Sequence, residues 1–209
     1  MDKIRVMIVE DDKGWAKAMK SFLKKQNDMV VVGIATSRDE AVKLASEITI
    51  EIILMDINLS GNKKDGIYAA LEILQFSKAK IIMLSSMDDE EIVMDSFTAG
   101  ALYYIYKSNY LEIPSTIRSI LCKNSPMDIL MKEYSRLKKQ EQIENLSPAE
   151  KEIFRLMEKG YTKSQLEKEL LKSPNTLKLQ IRNILSKLGV KTRKEAVKKV
   201  SLKGLIDKK

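Results

Sequence analysis

The chain has 209 residues, of which 44% are apolar and 32% are charged, the composition of an ordinary globular protein. It has no histidine and one cysteine, Cys122, which excludes zinc sites, Ser-His and Cys-His catalytic sets and an internal disulfide. No apolar run approaches the roughly 18 residues that a membrane span needs. We therefore expect no membrane segment, no secretory signal before the first strand, and a cytoplasmic location.

The net charge of +8 is unevenly distributed. Residues 1–121 carry a net charge of −3, whereas residues 122–209 carry +11. An acidic half joined to a basic half suggests two functions on one chain. The basic half points to nucleic acid or an anionic surface as partner. The alternative is a lysine-rich, solvated surface.

Short apolar runs alternate with amphipathic stretches from residue 4 to about 121. The predicted strands are Ile4–Val9, Met29–Ile34, Ile50–Met55, Lys80–Leu84 and Leu102–Tyr106, with helices near 13–26, 38–48, 66–77, 89–99 and 109–121. Strands interleaved with helices predict an α/β domain with a doubly wound, five-stranded parallel sheet covered on both faces.

The remaining residues predict helices only. Residues 123–145 are rich in lysine and glutamine and indicate a linker helix between a first domain, 1–122, and a second domain, 146–209. In the second domain Ser147 is a plausible N-cap, Pro148 lies in the first turn, and Glu150 completes a capping box. Short helices are predicted at 148–159, 163–170, 174–188 and 193–201, which describes a small all-α domain.

Acidic residues follow two of the predicted strands. Glu10 and Asp11 come directly after the first strand, and Asp56 comes directly after the third. Ligands of open parallel sheets bind beyond the carboxyl ends of the strands, where neighbouring strands lie about 4.8 Å apart. Three carboxylates that close repel one another unless protons or a cation intervene. A magnesium ion suits such a site, because it accepts a few carboxylates and keeps several waters.

The first domain resembles the receiver domain of two-component response regulators, a flavodoxin-like fold. The resemblance is carried by Val9-Glu10-Asp11-Asp12, Leu54-Met55-Asp56-Ile57-Asn58-Leu59, Asp65-Gly66, Ser85 and Tyr104-Ile105-Tyr106-Lys107. It implies that Asp56 accepts a phosphoryl group. It also implies Mg²⁺ held by the side chains of Asp11 and Asp56, by the backbone carbonyl of Asn58, and by Glu10 through water. Lys107 and Ser85 would contact the phosphate, and Tyr104 would act as the switch aromatic.

An aspartyl phosphatase is the enzymatic alternative. Phosphatases of the haloacid dehalogenase type carry a second aspartate two residues after the nucleophile, as general acid and base. Here that residue is Asn58, which cannot transfer the proton. We therefore expect a signalling protein rather than an enzyme. Since the chain has no histidine, a phosphohistidine donor must lie on another protein, and the resemblance implies a sensor histidine kinase.

Residues 146–201 resemble the LuxR-type helix-turn-helix of NarL/FixJ regulators. The motifs are Leu146-Ser147-Pro148-Ala149-Glu150, Gly160-Tyr161-Thr162, Leu170, Ser173, Thr176-Leu177-Lys178, Ile184, Lys187-Leu188-Gly189-Val190 and Arg193. The resemblance implies double-stranded DNA as partner, with residues 174–188 as the recognition helix. Base contacts are then expected from Lys178, Leu179 and Arg182, and phosphate contacts from Lys187, Lys191 and Arg193.

Two residues depart from the helix-turn-helix pattern. Glu167 stands where alanine is usual, and Lys172 where isoleucine or valine is usual. Either change could loosen the core or tilt the recognition helix. An output domain that docks a protein or RNA is thus the alternative to DNA binding. The last helix resembles the family's homodimer seam, but could equally close the domain's own core.

Overall fold

A computed structural model describes residues 3–59, 64–122 and 126–205. The first residues of the predicted linker helix, 123–125, and the last four residues of the predicted second domain lie outside these ranges. The chain divides into two compact units, Met1–Tyr134 and Ser135–Lys209. Within the described ranges, none of the helices combines the length and apolar character required to span a lipid bilayer.

The first unit is built on a five-stranded parallel sheet with the strand order β2-β1-β3-β4-β5. The strands are β1 (Ile4–Val9), β2 (Met29–Ala35), β3 (Ile52–Asp56), β4 (Lys80–Ser85) and β5 (Tyr103–Tyr106). Every residue of β3 is buried, which explains its continuous apolar sequence, because a strand covered on both faces has no solvent side. The predicted doubly wound sheet is confirmed.

Successive strands are connected by α1 (Lys13–Lys24), α2 (Arg38–Glu47), α3 (Asp65–Ile73) and α4 (Glu90–Ala99), and α5 (Ile113–Leu121) follows β5. The one clear difference from expectation is the predicted helix at 109–121. There a 3₁₀ helix, Lys107–Glu112, precedes α5, and Asn109 has non-helical φ and ψ. Pro114 lies in the first turn of α5, where its missing N–H is tolerated; one turn further into a helix its ring would clash with a carbonyl.

Among the described residues of the second unit, the regular secondary structure is entirely helical. The unit boundary falls within α6 (Pro126–Gln142), and α7 (Pro148–Glu158), α8 (Lys163–Glu169), α9 (Pro174–Lys187) and α10 (Arg193–Ser201) follow. Ser147 and Glu150 form the predicted capping box at the start of α7. The core contains Phe154, Leu166, Leu177 and Ile184, all at most 1% exposed. The predicted all-α domain is confirmed.

One residue between α8 and α9 has a strained backbone. Leu171 has φ = 50° and its side chain is 93% exposed, so almost no packing offsets the left-handed conformation. For a residue with a Cβ this conformation costs roughly 1–2 kcal/mol.

Replacing Leu171 with glycine should raise the free energy of unfolding by about 0.5–1 kcal/mol, since the relief of strain exceeds the added flexibility of the unfolded chain. Urea unfolding of the full chain, followed by circular dichroism, would measure this. The control is Leu179→Gly, at an exposed leucine inside α9, which should lower stability by about 1 kcal/mol. A loss of stability in Leu171→Gly would contradict the strain argument.

Candidate functional site

Three carboxylates meet at the carboxyl ends of β1 and β3, as the sequence predicted. One ligand oxygen each from Glu10, Asp11 and Asp56 lies within 4.8 Å of the others. Glu10 is 1% exposed and Asp56 is 5% exposed, whereas Asp11 is open to solvent. We call this group the acidic notch. The adjacency follows from the topology, because β1 and β3 are paired neighbours in the sheet.

Lys107 reaches into the acidic notch from the end of β5. Its Nζ donates a hydrogen bond to Asp56 Oδ2 at 2.9 Å. It also lies 2.6 Å from Glu10 Oε2, as an ion pair without the alignment of a good hydrogen bond. One ammonium group therefore contacts both buried carboxylates of the notch, Glu10 and Asp56.

The pKa values reflect this crowding. Burial raises the pKa of Glu10 to about 7; contact with Lys107 opposes the increase, and the charge of Asp56 adds to it. Burial alone would lower the pKa of Lys107, but its contacts with Glu10 and Asp56 outweigh that effect and raise it. The lysine is therefore a fixed positive charge at neutral pH, and the carboxylates favour any further cation.

Ser85, Tyr104 and Asn58 all lie against Met87, just beyond β4. Ser85 is buried, and its Oγ accepts a hydrogen bond from the Met87 backbone N–H at 2.9 Å. The Tyr104 hydroxyl donates to the Met87 carbonyl at 2.8 Å, and Asn58 Nδ2 lies 3.4 Å from Met87 Sδ. Asn58 Oδ1 is buried and has no hydrogen-bond partner within the described ranges. The loop after β4 thus connects three of the predicted site residues.

The donor set of the notch suits a hard divalent cation. Its ligand atoms are carboxylate oxygens, and one of the carboxylates is open to solvent. Magnesium binds through one or two carboxylates and keeps several waters, which an open notch allows. The residues present therefore fit the ion that the acidic sequence pattern suggested.

Sequence reasoning undervalued Gly66 and missed Trp15. A Cβ on Gly66 would lie 1.9 Å from the Asp56 carbonyl oxygen, so only glycine allows α3 to start this close to β3. The Asp65-Gly66 pair was the available signal, but it entered only as part of the receiver resemblance, with no structural reason for the glycine. Trp15, in the first turn of α1, has its ring centroid 4.9 Å from Lys107 Nζ. No local sequence pattern marked that contact.

In the second unit, α9 presents a polar face beside a buried one. Leu177 and Ile184 are 0% exposed, whereas Lys178, Leu179 and Arg182 are exposed. The three side chains predicted to read bases therefore lie together on one surface of the helix.

The three residues predicted to contact phosphate differ in availability. The Lys191 side chain is exposed. Lys187 Nζ lies 2.6 Å from Glu150 Oε2, and Arg193 donates to the Tyr161 carbonyl. Phosphate contacts by Lys187 and Arg193 stay predictions, and both residues also have a role inside the domain.

The two departures from the helix-turn-helix pattern are accommodated at the surface of the domain. The Glu167 side chain is 25% exposed and lies 3.9 Å from Lys163 Nζ. Lys172 Nζ donates to Gln180 Oε1 at 2.8 Å, which links it to α9. The last helix closes the domain's own core, since Ala196 is 0% and Val200 is 2% exposed.

Comparison with known proteins identifies both parts of the chain. Residues 6–117 match the response regulator receiver domain, and residues 144–200 match the bacterial regulatory proteins of the luxR family. The transcriptional regulatory protein LiaR of Bacillus subtilis (strain 168) is 36% identical over 202 residues, covering 92% of this chain and 94% of LiaR. The response regulator VraR of Staphylococcus aureus (strain NCTC 8325 / PS 47) is 32% identical, covering 93% and 94%.

A solved structure of the RcsB response regulator of Salmonella typhimurium shares the fold, with a TM-score of 0.53 and 20% identity, covering 96% of this chain and 99% of RcsB. The luxR match favours the DNA-binding interpretation of the second unit over a protein- or RNA-docking one. A receiver sheet with an acidic notch, followed by a luxR-type helical domain, places this chain in the NarL/LuxR family of two-component response regulators.

Proposed function

We propose that Asp56 is the phosphoacceptor of this response regulator, and that its phosphorylation controls DNA binding by the second unit. The observation that carries this proposal is the convergence of Glu10, Asp11 and Lys107 on the Asp56 carboxylate at one end of the sheet. Phosphoryl transfer needs an in-line nucleophile and positive groups around the transferred oxygens. Asp56 supplies the nucleophile, and Lys107 supplies one of the positive charges.

Glu10, Asp11, Asp56 and Asn58 are the residues that would hold Mg²⁺, which when bound would neutralise phosphoryl oxygens. Lys107 would exchange its contacts with the carboxylates for a phosphoryl oxygen, and Ser85 would give up its contact with the Met87 N–H to donate its hydroxyl. A phosphoryl group adds about −1.5 to −2 charges at this point. The Tyr104 hydroxyl donates a hydrogen bond to the Met87 carbonyl. When the contacts of Met87 change, Tyr104 would move with them and alter the surface of α4 and β5.

The phosphoryl donor is proposed to be a sensor histidine kinase, as the match to the receiver domain suggests. Because the 209 residues contain no histidine, a phosphohistidine donor must lie on another protein. The location is proposed to be cytoplasmic. We further propose that the chain does not hydrolyse phosphate esters. Asn58 lies two residues after Asp56, where a hydrolase of the haloacid dehalogenase type has its general acid, and an amide side chain cannot serve as general acid or base. Sustained release of phosphate from small esters would contradict this part.

The domain limits are proposed to be 1–122 for the receiver, 123–145 for the linker helix and 146–209 for the DNA-binding domain. The unit boundary within α6 supports a linker there. Lys178, Leu179 and Arg182 are proposed to read bases, and Lys187, Lys191 and Arg193 to bind phosphates. A homodimer on DNA is also proposed. Because Ala196 and Val200 are buried in the domain's own core, other residues would have to form the dimer interface.

The double substitution Lys178→Ala with Arg182→Ala should weaken binding to a selected genomic DNA fragment by about 30-fold or more, since a base contact is worth about 1–3 kcal/mol. Fluorescence anisotropy at fixed salt, with and without acetyl phosphate, would measure the dissociation constant. The control is Lys194→Ala with Lys198→Ala, which removes the same charge from exposed positions of α10. Equal losses in both double variants would indicate a purely electrostatic effect and contradict base reading by α9.

A further inference from the structure

We propose that Trp15 is a positioning residue that holds the Lys107 ammonium group over the phosphoacceptor. This inference rests on the proposed role of Asp56. The Trp15 ring centroid lies 4.9 Å from Lys107 Nζ, within the range of a cation–π interaction. Trp15 is half-buried, and the Lys107 side chain is only 16% exposed, so water screens this interaction weakly.

The local sequence explains how the ring reaches that place. Asp12 caps α1, and its Oδ1 accepts hydrogen bonds from the backbone N–H groups of Gly14 and Trp15, at 2.7 and 3.0 Å. The cap fixes the first turn of the helix directly after the acidic pair, Glu10 and Asp11. Trp15 is therefore held at the edge of the acidic notch, with its ring beside the ammonium group of Lys107.

Trp15 differs from the other partners of Lys107 because it is uncharged. Glu10 and Asp56 hold the ammonium group at 2.6 and 2.9 Å, but these same carboxylates are the groups that a cation and a phosphoryl group would engage. The indole face does not compete for either. It can keep the lysine in place while Lys107 exchanges a carboxylate oxygen for a phosphoryl oxygen.

Packing has to be separated from positioning, because Trp15 also packs against the core of the first unit and borders a cleft lined by Phe22 and Tyr110. Trp15→Phe keeps an aromatic face, whereas Trp15→Leu keeps only apolar bulk. With acetyl phosphate and magnesium, we expect Trp15→Leu to be labelled about three- to tenfold more slowly than the parent, and Trp15→Phe within about twofold of it.

A double-mutant cycle tests whether Trp15 acts through Lys107. In a Lys107→Ala background, Trp15→Leu should produce no further slowing. Three results would each overturn the inference. Trp15→Leu could be labelled as fast as the parent, Trp15→Phe could be slowed as much as Trp15→Leu, or Trp15→Leu could cause the same slowing in the Lys107→Ala background. Thermal unfolding by circular dichroism would give the packing loss of each variant separately.

A second readout does not depend on phosphorylation. Trp15 is the sole tryptophan of the chain, so its emission reports this contact directly. In protein without added metal, Lys107→Ala should shift or brighten the emission, whereas Lys20→Ala, at an exposed position of the same helix, should not. Unchanged emission in Lys107→Ala would overturn the inference even if the chain is labelled. Failure to label the parent would instead contradict the role of Asp56, and the positioning role with it.

Discussion

Asp56→Asn should abolish labelling of the chain by acetyl phosphate and magnesium. The amide is close to the carboxylate in shape but cannot attack phosphorus, so the product should fall to background rather than decrease by a small factor. Removing the charge of Asp56, which shares Lys107 with the buried Glu10, also relieves repulsion between these two carboxylates, so the variant should be at least as stable as the parent. Intact-mass measurement gives the labelled fraction directly.

The matched control for this experiment is Asp88→Asn, which removes the same charge from an exposed position in the loop between β4 and α4. That variant should be labelled like the parent. Persistence of the adduct in Asp56→Asn would remove Asp56 from its proposed role. Loss of the adduct in both variants would show that labelling follows local charge rather than a particular nucleophile.

Gly66→Ala should cause the largest loss of stability among single substitutions of comparable size in the first unit. The added Cβ would lie 1.9 Å from the Asp56 carbonyl oxygen and 2.9 Å from the Ile57 Cα. Both are backbone atoms, in the last residue of β3 and in the residue after it, and they cannot rotate away. Overpacking typically costs about 1–3 kcal/mol and occasionally more, and we expect the upper end here because relief requires α3 to move away from β3. We expect labelling at Asp56 to fall with the stability.

Urea unfolding followed by Trp15 emission would measure the effect, because the sole tryptophan lies in the first unit. The control is Gly33→Ala in β2. There the added Cβ meets the Ile48 Cδ1 at 3.3 Å, the end of a flexible side chain that can shift, so the cost should stay below about 1 kcal/mol. A parent-like midpoint for Gly66→Ala would contradict the close approach of α3 to the phosphoacceptor strand.

The centre of the sheet could be predicted from sequence because most of β1 and all of β3 are buried on both faces. Val6 to Val9 and Ile52 to Met55 are continuous apolar runs, and each is 0% exposed in the structure. The helical segment after β5 was harder to predict from sequence. Whether residues before Pro114 form an α-helix or a 3₁₀ helix depends on geometry that helical periodicity does not encode.

The candidate site was partly predictable for a similar reason. Acidic residues at the carboxyl ends of neighbouring parallel strands lie at the same edge of the sheet. The sequence alone therefore predicted that Glu10, Asp11 and Asp56 lie close together. The contacts of Gly66 and Trp15 depend on how closely separate elements approach one another, which no local pattern records. The partners of Lys187 and Arg193 were hidden likewise, since Glu150 and Tyr161 are more than 30 positions away in the chain.

Mapping the phosphoryl group in the parent chain is the most direct test of whether Asp56 is the phosphoacceptor. Borohydride reduction converts an aspartyl phosphate to homoserine, which peptide mass spectrometry then locates. We expect homoserine at position 56, formed only after incubation with both acetyl phosphate and magnesium. Homoserine at another aspartate, or an equal yield without magnesium, would contradict a phosphoacceptor seated in the acidic notch.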